Sequence, residues 1–255
     1  MEPSIKNIYY STKFPVSEDM GFEEMYLAVR EKECRLYSNE EVSKLPSVLP
    51  AHIHYYEWQI RKRSAKRLVK HLAKKKCKLD VLEIGCGNGW LSSKIAEVTD
   101  TLVTGIDINK TEILQAQCVF KYQQNIKFVS TSINNLQNQG IQFDCIVFAA
   151  SIQYFKDLCS VLNTAISMLK VNGEIHILDT HFYSSNEEPK ARTKTYYQQL
   201  GFPKMAIFYF HHRYKDLEGY NYNMLYNPGS LKNKLFLKKD PFPWIIITPE
   251  CYQKH

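Results

Sequence analysis

The chain has 255 residues, 44% hydrophobic and 13% aromatic, which suffices for a buried core and excludes a disordered chain; the length fits one α/β domain with an extension. Seven cysteines, widely spaced, odd in number and without a C-x-x-C pair, argue against a disulfide framework and a zinc site and predict reduced thiols in the cytoplasm. The net charge of +7 is local: Arg61 to Lys78 holds ten cations and no acid, and removing those ten leaves −3.

The N-terminus shows no basic start followed by an apolar core, and no apolar run approaches the roughly 18 residues of a membrane span, so no membrane partner is expected. Glu23 to Tyr37 reads as a helix, ended by Ser-Asn and Leu-Pro breakers. A second helix is expected over 51–75. Its inward stripe is His54, Trp58, Arg61, Ala65, Leu68 and Leu72, with most of the cations on other faces. For those cations a solvated helix face is the plainer reading; nucleic acid, bound through displaced counterions, is the alternative.

From Lys78 the pattern changes to short apolar runs alternating with amphipathic stretches. Strands are expected at 79–84, 102–107, 126–130, 143–149, 174–179, 205–211 and 244–248, with helices at 89–98, 110–122, 157–170 and 188–200. Continuous hydrophobicity in the early strands means both faces are covered. The fold class is therefore α/β, a seven-stranded, mostly parallel, doubly wound Rossmann-like sheet with an N-terminal helical extension. Residues 1–77 are read as the cap and 78–255 as the main domain. The turn-rich stretch 221–229 reads as a long excursion that could serve as a lid.

The first strand ends in VLEIGCGNGW (Val81 to Trp90). Gly85, Gly87 and Gly89 permit positive φ and a close backbone approach to a ligand at the carboxyl end of the strand. Trp90 stands where a dinucleotide site wants its last glycine, and no lysine with serine or threonine follows as in a P-loop. Glu83 would repel a pyrophosphate but can accept from an α-ammonium. Asp107, about twenty residues past the glycines, can take both ribose hydroxyls. These features suit a nucleoside carrying an amino acid.

VLEIGCGNG, GIDIN, FVSTSINNL and FDCIVFAASIQYF, in that order over about 78–180, resemble the class I S-adenosylmethionine-dependent methyltransferases. The resemblance implies S-adenosyl-L-methionine as cofactor and S-adenosyl-L-homocysteine as product. It places Gly85, Cys86, Gly87 and Asn88 along the methionine moiety, Asp107 on the ribose and Ile108 against the adenine. Ser132, followed by Ile133, stands where the family usually has an acid for the adenine amine. Ala149 lies where the family's backbone meets the cofactor.

Arg61 is the odd charge on a mostly apolar face; it snorkels to water, pairs with a structural acid, or pairs with the methionine carboxylate. His181, past the fifth strand, is a candidate general base or else a surface-loop histidine. Gln153 and Tyr154 would face acceptor and cofactor in a loop that lacks both the Asn-Pro-Pro-Tyr and the Pro-Cys patterns of base methyltransferases. Three functions follow: a small-molecule methyltransferase, an RNA methyltransferase using the 61–78 face, or a cofactor-binding protein without transferase activity.

Overall fold

A computed structural model describes residues 21–185, 187–230, 233 and 240–249. Three helices precede the sheet: α1 (Phe22–Lys32), α2 (Asn39–Lys44) and α3 (Tyr55–Ala73). The sheet domain follows as β1 (Leu79–Ile84), α4 (Trp90–Ile95), β2 (Thr101–Asp107), α5 (Lys110–Val119), β3 (Ile126–Ser130), α6 (Ile133–Gln137) and β4 (Phe143–Ala149). It continues through a short 3-10 turn (Ile152–Tyr154), α7 (Leu158–Ser167), β5 (Leu169–Leu178), α8 (Glu187–Gln199), β6 (Tyr222–Tyr226) and β7 (Trp244–Ile247). The strand order is β3-β2-β1-β4-β5-β7-β6. The first five strands are parallel to their neighbours, and β7 pairs antiparallel with β5 and β6.

Alternate residues of β1 feed two cores. Leu82 and Ile84 join Ile146, Phe148 and the α7 residues Leu158 and Leu162 on one face. Val81 joins Val103, Val147, Leu91 and Ile95 with Leu68 and Leu72 of α3 on the other. The predicted stripe of α3 is realised: Trp58, Ala65, Leu68 and Leu72 are buried, and each large side chain contributes roughly 1.5–3 kcal/mol by leaving water.

Two expectations are corrected. Residues 203–208 form a 3-10 helix, not a strand; Met205 packs with Phe202, Tyr197 and the α1 residues Met25 and Val29, so this apolar run covers α1 instead of extending the sheet. The sheet strand is instead Tyr222–Tyr226, inside the stretch read as a lid. Its half-buried Tyr222, Met224 and Tyr226 alternate with exposed Asn223 and Leu225, as at a sheet edge. Residues 231–232 and 234–239, which follow that stretch, lie outside the described residues.

The basic helix is partly neutralised. Asp240, 3% exposed, takes Arg63 at 2.5 Å and Arg67 at 2.6 Å. Glu174 takes Lys75 at 2.9 Å, and His71 and His176 at 2.9 and 3.1 Å. His71, Glu174 and His176 are close enough to hold a metal, but the hydrogen bonds fix another chemistry. Trp244 donates Nε1–H to Nδ1 of His176 at 3.0 Å, so the proton of this neutral ring sits on Nε2 and is donated to Glu174. A metal on Nε2 would demand the opposite tautomer.

Candidate active site

The glycine loop leaves β1 with φ of +73° at Gly85, +51° at Gly87 and +76° at Gly89. Gly85 is required twice over, since a Cβ there would lie 2.5 Å from Cβ of Ser151. Ser151 in turn donates its hydroxyl to the Ile84 carbonyl at 2.6 Å, tying the end of β4 to the end of β1. Gly89 packs helix against strand, its missing Cβ filled by the Phe128 ring.

Asp107 closes the loop from β2. Its Oδ2 accepts from the Gly87 N–H at 2.9 Å and its Oδ1 from the Asn109 N–H at 2.8 Å. Burial pushes its pKa up, against those backbone donors.

Two cavities meet over this loop. The first, about 370 Å³, is mostly apolar: Ile106, Ile108, Ile133 and Phe155 surround Asp107, with Phe22 and Tyr26 of α1 as the far wall. Ser132 lies at its edge and caps α6, accepting from the Asn135 N–H at 3.3 Å. An exposed isoleucine, Ile108, lines the same cavity. It offers an apolar face to a flat ring.

The second cavity, about 380 Å³, is polar. Cys86, Asn88, Glu83 and Ala149 form its floor, and Arg30, Arg35 and Arg61 stand on its helical wall. Arg61 pairs with a structural acid of its own helix, one of the alternatives open from the sequence: its Nε and Nη2 both lie 3.0 Å from Oε1 of Glu57. Arg35 grips the same carboxylate with both Nη atoms, at 3.0 and 2.5 Å. Burial acts to raise the Glu57 pKa, but the two guanidiniums overcome it and hold it down at about 2. Glu33 bridges Arg35 and Arg30 at 3.3 and 2.9 Å. The ladder Arg30, Glu33, Arg35, Glu57, Arg61 thus carries one cation in excess.

Among the described residues Glu83 has no such cationic partner. It is 2% exposed, accepts the Ser92 hydroxyl at 2.5 Å and is pushed by burial up to about 8. It is protonated at neutral pH in the free protein. The Cys86 thiol is raised far by burial and is no nucleophile.

On the remaining side stand Gln153, Thr180, His181, Tyr209 and Phe242, with Tyr154 facing both cavities. Arg30 donates to the Tyr154 hydroxyl at 3.2 Å. Gln153 is spent on structure, donating to the Ala150 carbonyl at 2.6 Å and accepting from Thr180 at 2.9 Å. The His181 ring lies 4.5 Å from the Phe242 ring. Burial, aided by Arg192, lowers its pKa, so the imidazole is neutral at pH 7.

The sequence reading made the N-terminal helices a cap but singled out no residue of α1. Phe22, Tyr26 and Arg30 recur every fourth residue and so share one helix face, a signal that was present. It missed Glu112 on α5 as well, which lines both cavities.

A family model described as "Methyltransferase domain" matches residues 75–228. The chain belongs to this methyltransferase family. Among curated relatives it is 28% identical over 121 residues to a tRNA U34 carboxymethyltransferase of Campylobacter fetus, 47% of this chain and 43% of that protein. It is 28% identical over 127 residues to a malonyl-[acyl-carrier protein] O-methyltransferase of Acetivibrio thermocellus, covering 47% and 44%. It is 33% identical over 97 residues to a ubiquinone biosynthesis O-methyltransferase of Bartonella tribocorum, covering 37% and 38%. The matched stretch therefore spans less than half the length of these relatives.

Solved structures share the fold. Magnesium protoporphyrin IX methyltransferase from Synechocystis PCC 6803, with bound SAH, superposes with TM-score 0.56 at 13% identity over 89% of this chain and 99% of that one. The plantazolicin methyltransferase BpumL in complex with SAH gives 0.52 at 16% identity, covering 88% and 98%. Both are class I, Rossmann-like folds, as is the sheet here. Among the described residues no helix is long and apolar enough to cross a membrane.

Proposed function

We propose that this protein is an S-adenosylmethionine-dependent methyltransferase acting on a small-molecule acceptor. One observation carries the reading: an apolar cavity with an acid at a strand end joins a polar cavity with an excess cation, and the two meet over a glycine loop without side chains. A nucleoside bearing an amino acid has that same division. Adenine is suited by Ile108, Ile133 and Ser132, ribose by Asp107, the carboxylate by Arg61 and Arg35, and the α-ammonium by Glu83. The residues fit the cofactor, because Glu57 serves two guanidiniums and leaves one positive charge for a ligand carboxylate.

When bound, the cofactor supplies an electrophilic methyl group. The protein's part is alignment and exclusion of water. The rings of Tyr154, Tyr209 and Phe242 suit an acceptor with an apolar or aromatic body, and neutral His181 can take its proton. Residues 1–77, as far as they are described, act as the cap over residues 78–255. Free thiols at the six described cysteines fit a cytoplasmic protein.

Calorimetric titration with S-adenosylmethionine, S-adenosylhomocysteine and NAD in parallel tests the cofactor. Binding of the first two alone is expected; binding of NAD alone, or of none, would refute it.

The RNA reading has one observation of its own. Lys62, Lys66 and Lys70 on α3 and Lys74 at its C-cap follow at intervals of four and are all exposed, a row that could track phosphates. RNA binding that weakens steeply with salt, and weakens further when these lysines become glutamines, would favour it.

A further inference from the structure

Glu112 is a half-buried acid placed where the two cavities join. It lines both, and a Cβ on Gly87 would lie 3.2 Å from its Oε2, so the carboxyl flanks the glycine loop. The Asp107 oxygens beside it each accept a backbone N–H. Among the described residues no hydrogen bond holds the Glu112 carboxyl, whereas the same residue's N–H is used by the Asn109 cap at 3.0 Å. The groups that face it are Asp107 from β2, Arg30, Tyr26 and Glu23 from α1, and Cys86 from the loop. Arg30 is already balanced by Glu33 at 2.9 Å.

If the nucleoside lies in the apolar cavity and the amino acid in the polar one, the atom that joins them lies at this neck. That atom is the sulfur. In the cofactor it is a sulfonium and bears a positive charge; in the product it is a neutral thioether. We infer that Glu112 reads the charge on that sulfur, so that the protein holds the methyl donor more tightly than the demethylated product. The inference rests on the cofactor reading above. An acid at the neck also favours release of the spent cofactor. It costs some rate, because positive charge disperses in the transition state and the carboxylate then grips less.

Burial and the neighbouring Asp107 raise the Glu112 pKa to about 8, so the affinities should be compared at pH 9, where the carboxylate is ionised. Binding of S-adenosylmethionine, S-adenosylhomocysteine and an analogue with an amine-bearing carbon in place of sulfur would be measured for the intact protein and for Glu112→Gln. The preference for both cationic ligands over S-adenosylhomocysteine should fall about tenfold in the variant, the scale of a partly screened charge contact. Affinity for S-adenosylhomocysteine itself should change little. Glu112→Met, equally uncharged, should give the same ratio if the charge is what matters. An unchanged ratio, or equal weakening of all three ligands as a ribose contact would produce, overturns the inference while leaving the cofactor reading intact. Absence of binding to the unaltered protein overturns both.

Discussion

Single residues of the glycine loop do different work although they share a backbone conformation. Gly85 and Gly89 are enclosed, with missing Cβ atoms that would lie 2.5 Å from Ser151 and from Phe128. A Cβ on Gly87 would meet the Glu112 carboxylate first, at 3.2 Å, the end of a flexible side chain. All three have positive φ, so alanine is strained at each. Added steric conflict should make Gly85→Ala and Gly89→Ala cost about 3 kcal/mol or more of stability, against about 1–2 for Gly87→Ala. Urea unfolding of the three variants checks the order, and equal losses would show that packing adds nothing to strain. Glu83 makes a second prediction. Its folded-state pKa, about 8, lies above its ordinary 4.5, so between those values the folded chain holds a proton that the unfolded chain has released. Stability therefore falls as pH rises through that window, by up to about 1.4 kcal/mol per pH unit for this group. Glu83→Gln has no proton to lose and should show a shallower decline between pH 5 and pH 8.5; an unaltered slope would assign the linkage elsewhere.

Elements were legible in the sequence wherever a single pattern dominated. β1 and β4 are nearly continuous apolar runs because both of their faces are covered, and the ends of β1 to β4 fall within a residue of the expectation. The apolar run at 205–210 misled because hydrophobicity states that a segment is covered, not by what; here the partner is α1. β6 was hidden because an edge strand with polar residues outward resembles a turn-rich loop. The short helix α2 follows a capping box, with Ser38 and Glu41 each bonded to the other's backbone N–H, so what read as a breaker was a start signal. The basic segment was read as a solvated face, and the structure divides it. The arginines anchor α3 to the sheet domain through Asp240, whereas the lysine row faces water. Asp240→Asn would leave two guanidiniums facing an uncharged amide in place of their carboxylate, and a loss of about 3 kcal/mol is expected. Thermal unfolding checks this. A change within 0.5 kcal/mol, a threshold of roughly the size of a surface substitution, would place the anchor in apolar packing alone.

At the scale of the whole molecule the site is an interface between two parts of one chain. The sheet domain supplies the glycine loop, Asp107 and Glu83, and these were readable because their chemistry is local in sequence. The helical wall supplies Phe22, Tyr26, Arg30, Arg35, Glu57 and Arg61, and its role was mostly hidden, because which helix lies over a sheet's carboxyl edge is a property of packing. Arg61, which was singled out, was weighed between water, a structural acid and a ligand carboxylate; the acid is Glu57, four residues earlier on the same helix, and only the share that Arg35 takes in it depends on packing. A ligand filling both cavities must touch both parts, since Tyr26 lines each cavity and α1 is otherwise fastened by few polar contacts: Glu23 to Thr111 at 3.1 Å, Arg30 to Tyr154 at 3.2 Å. At a hundred times its dissociation constant such a ligand raises stability by about 2.7 kcal/mol. Part of that should appear as slower amide exchange in α1 as well as in the glycine loop, because local opening of α1 would then require the ligand to leave. Hydrogen exchange with saturating S-adenosylhomocysteine distinguishes the alternatives. Protection over 22–32 together with 85–91 is the expected result. Protection confined to 85–91 would mean that the sheet domain binds alone and that α1 closes over some other molecule, the acceptor being the candidate.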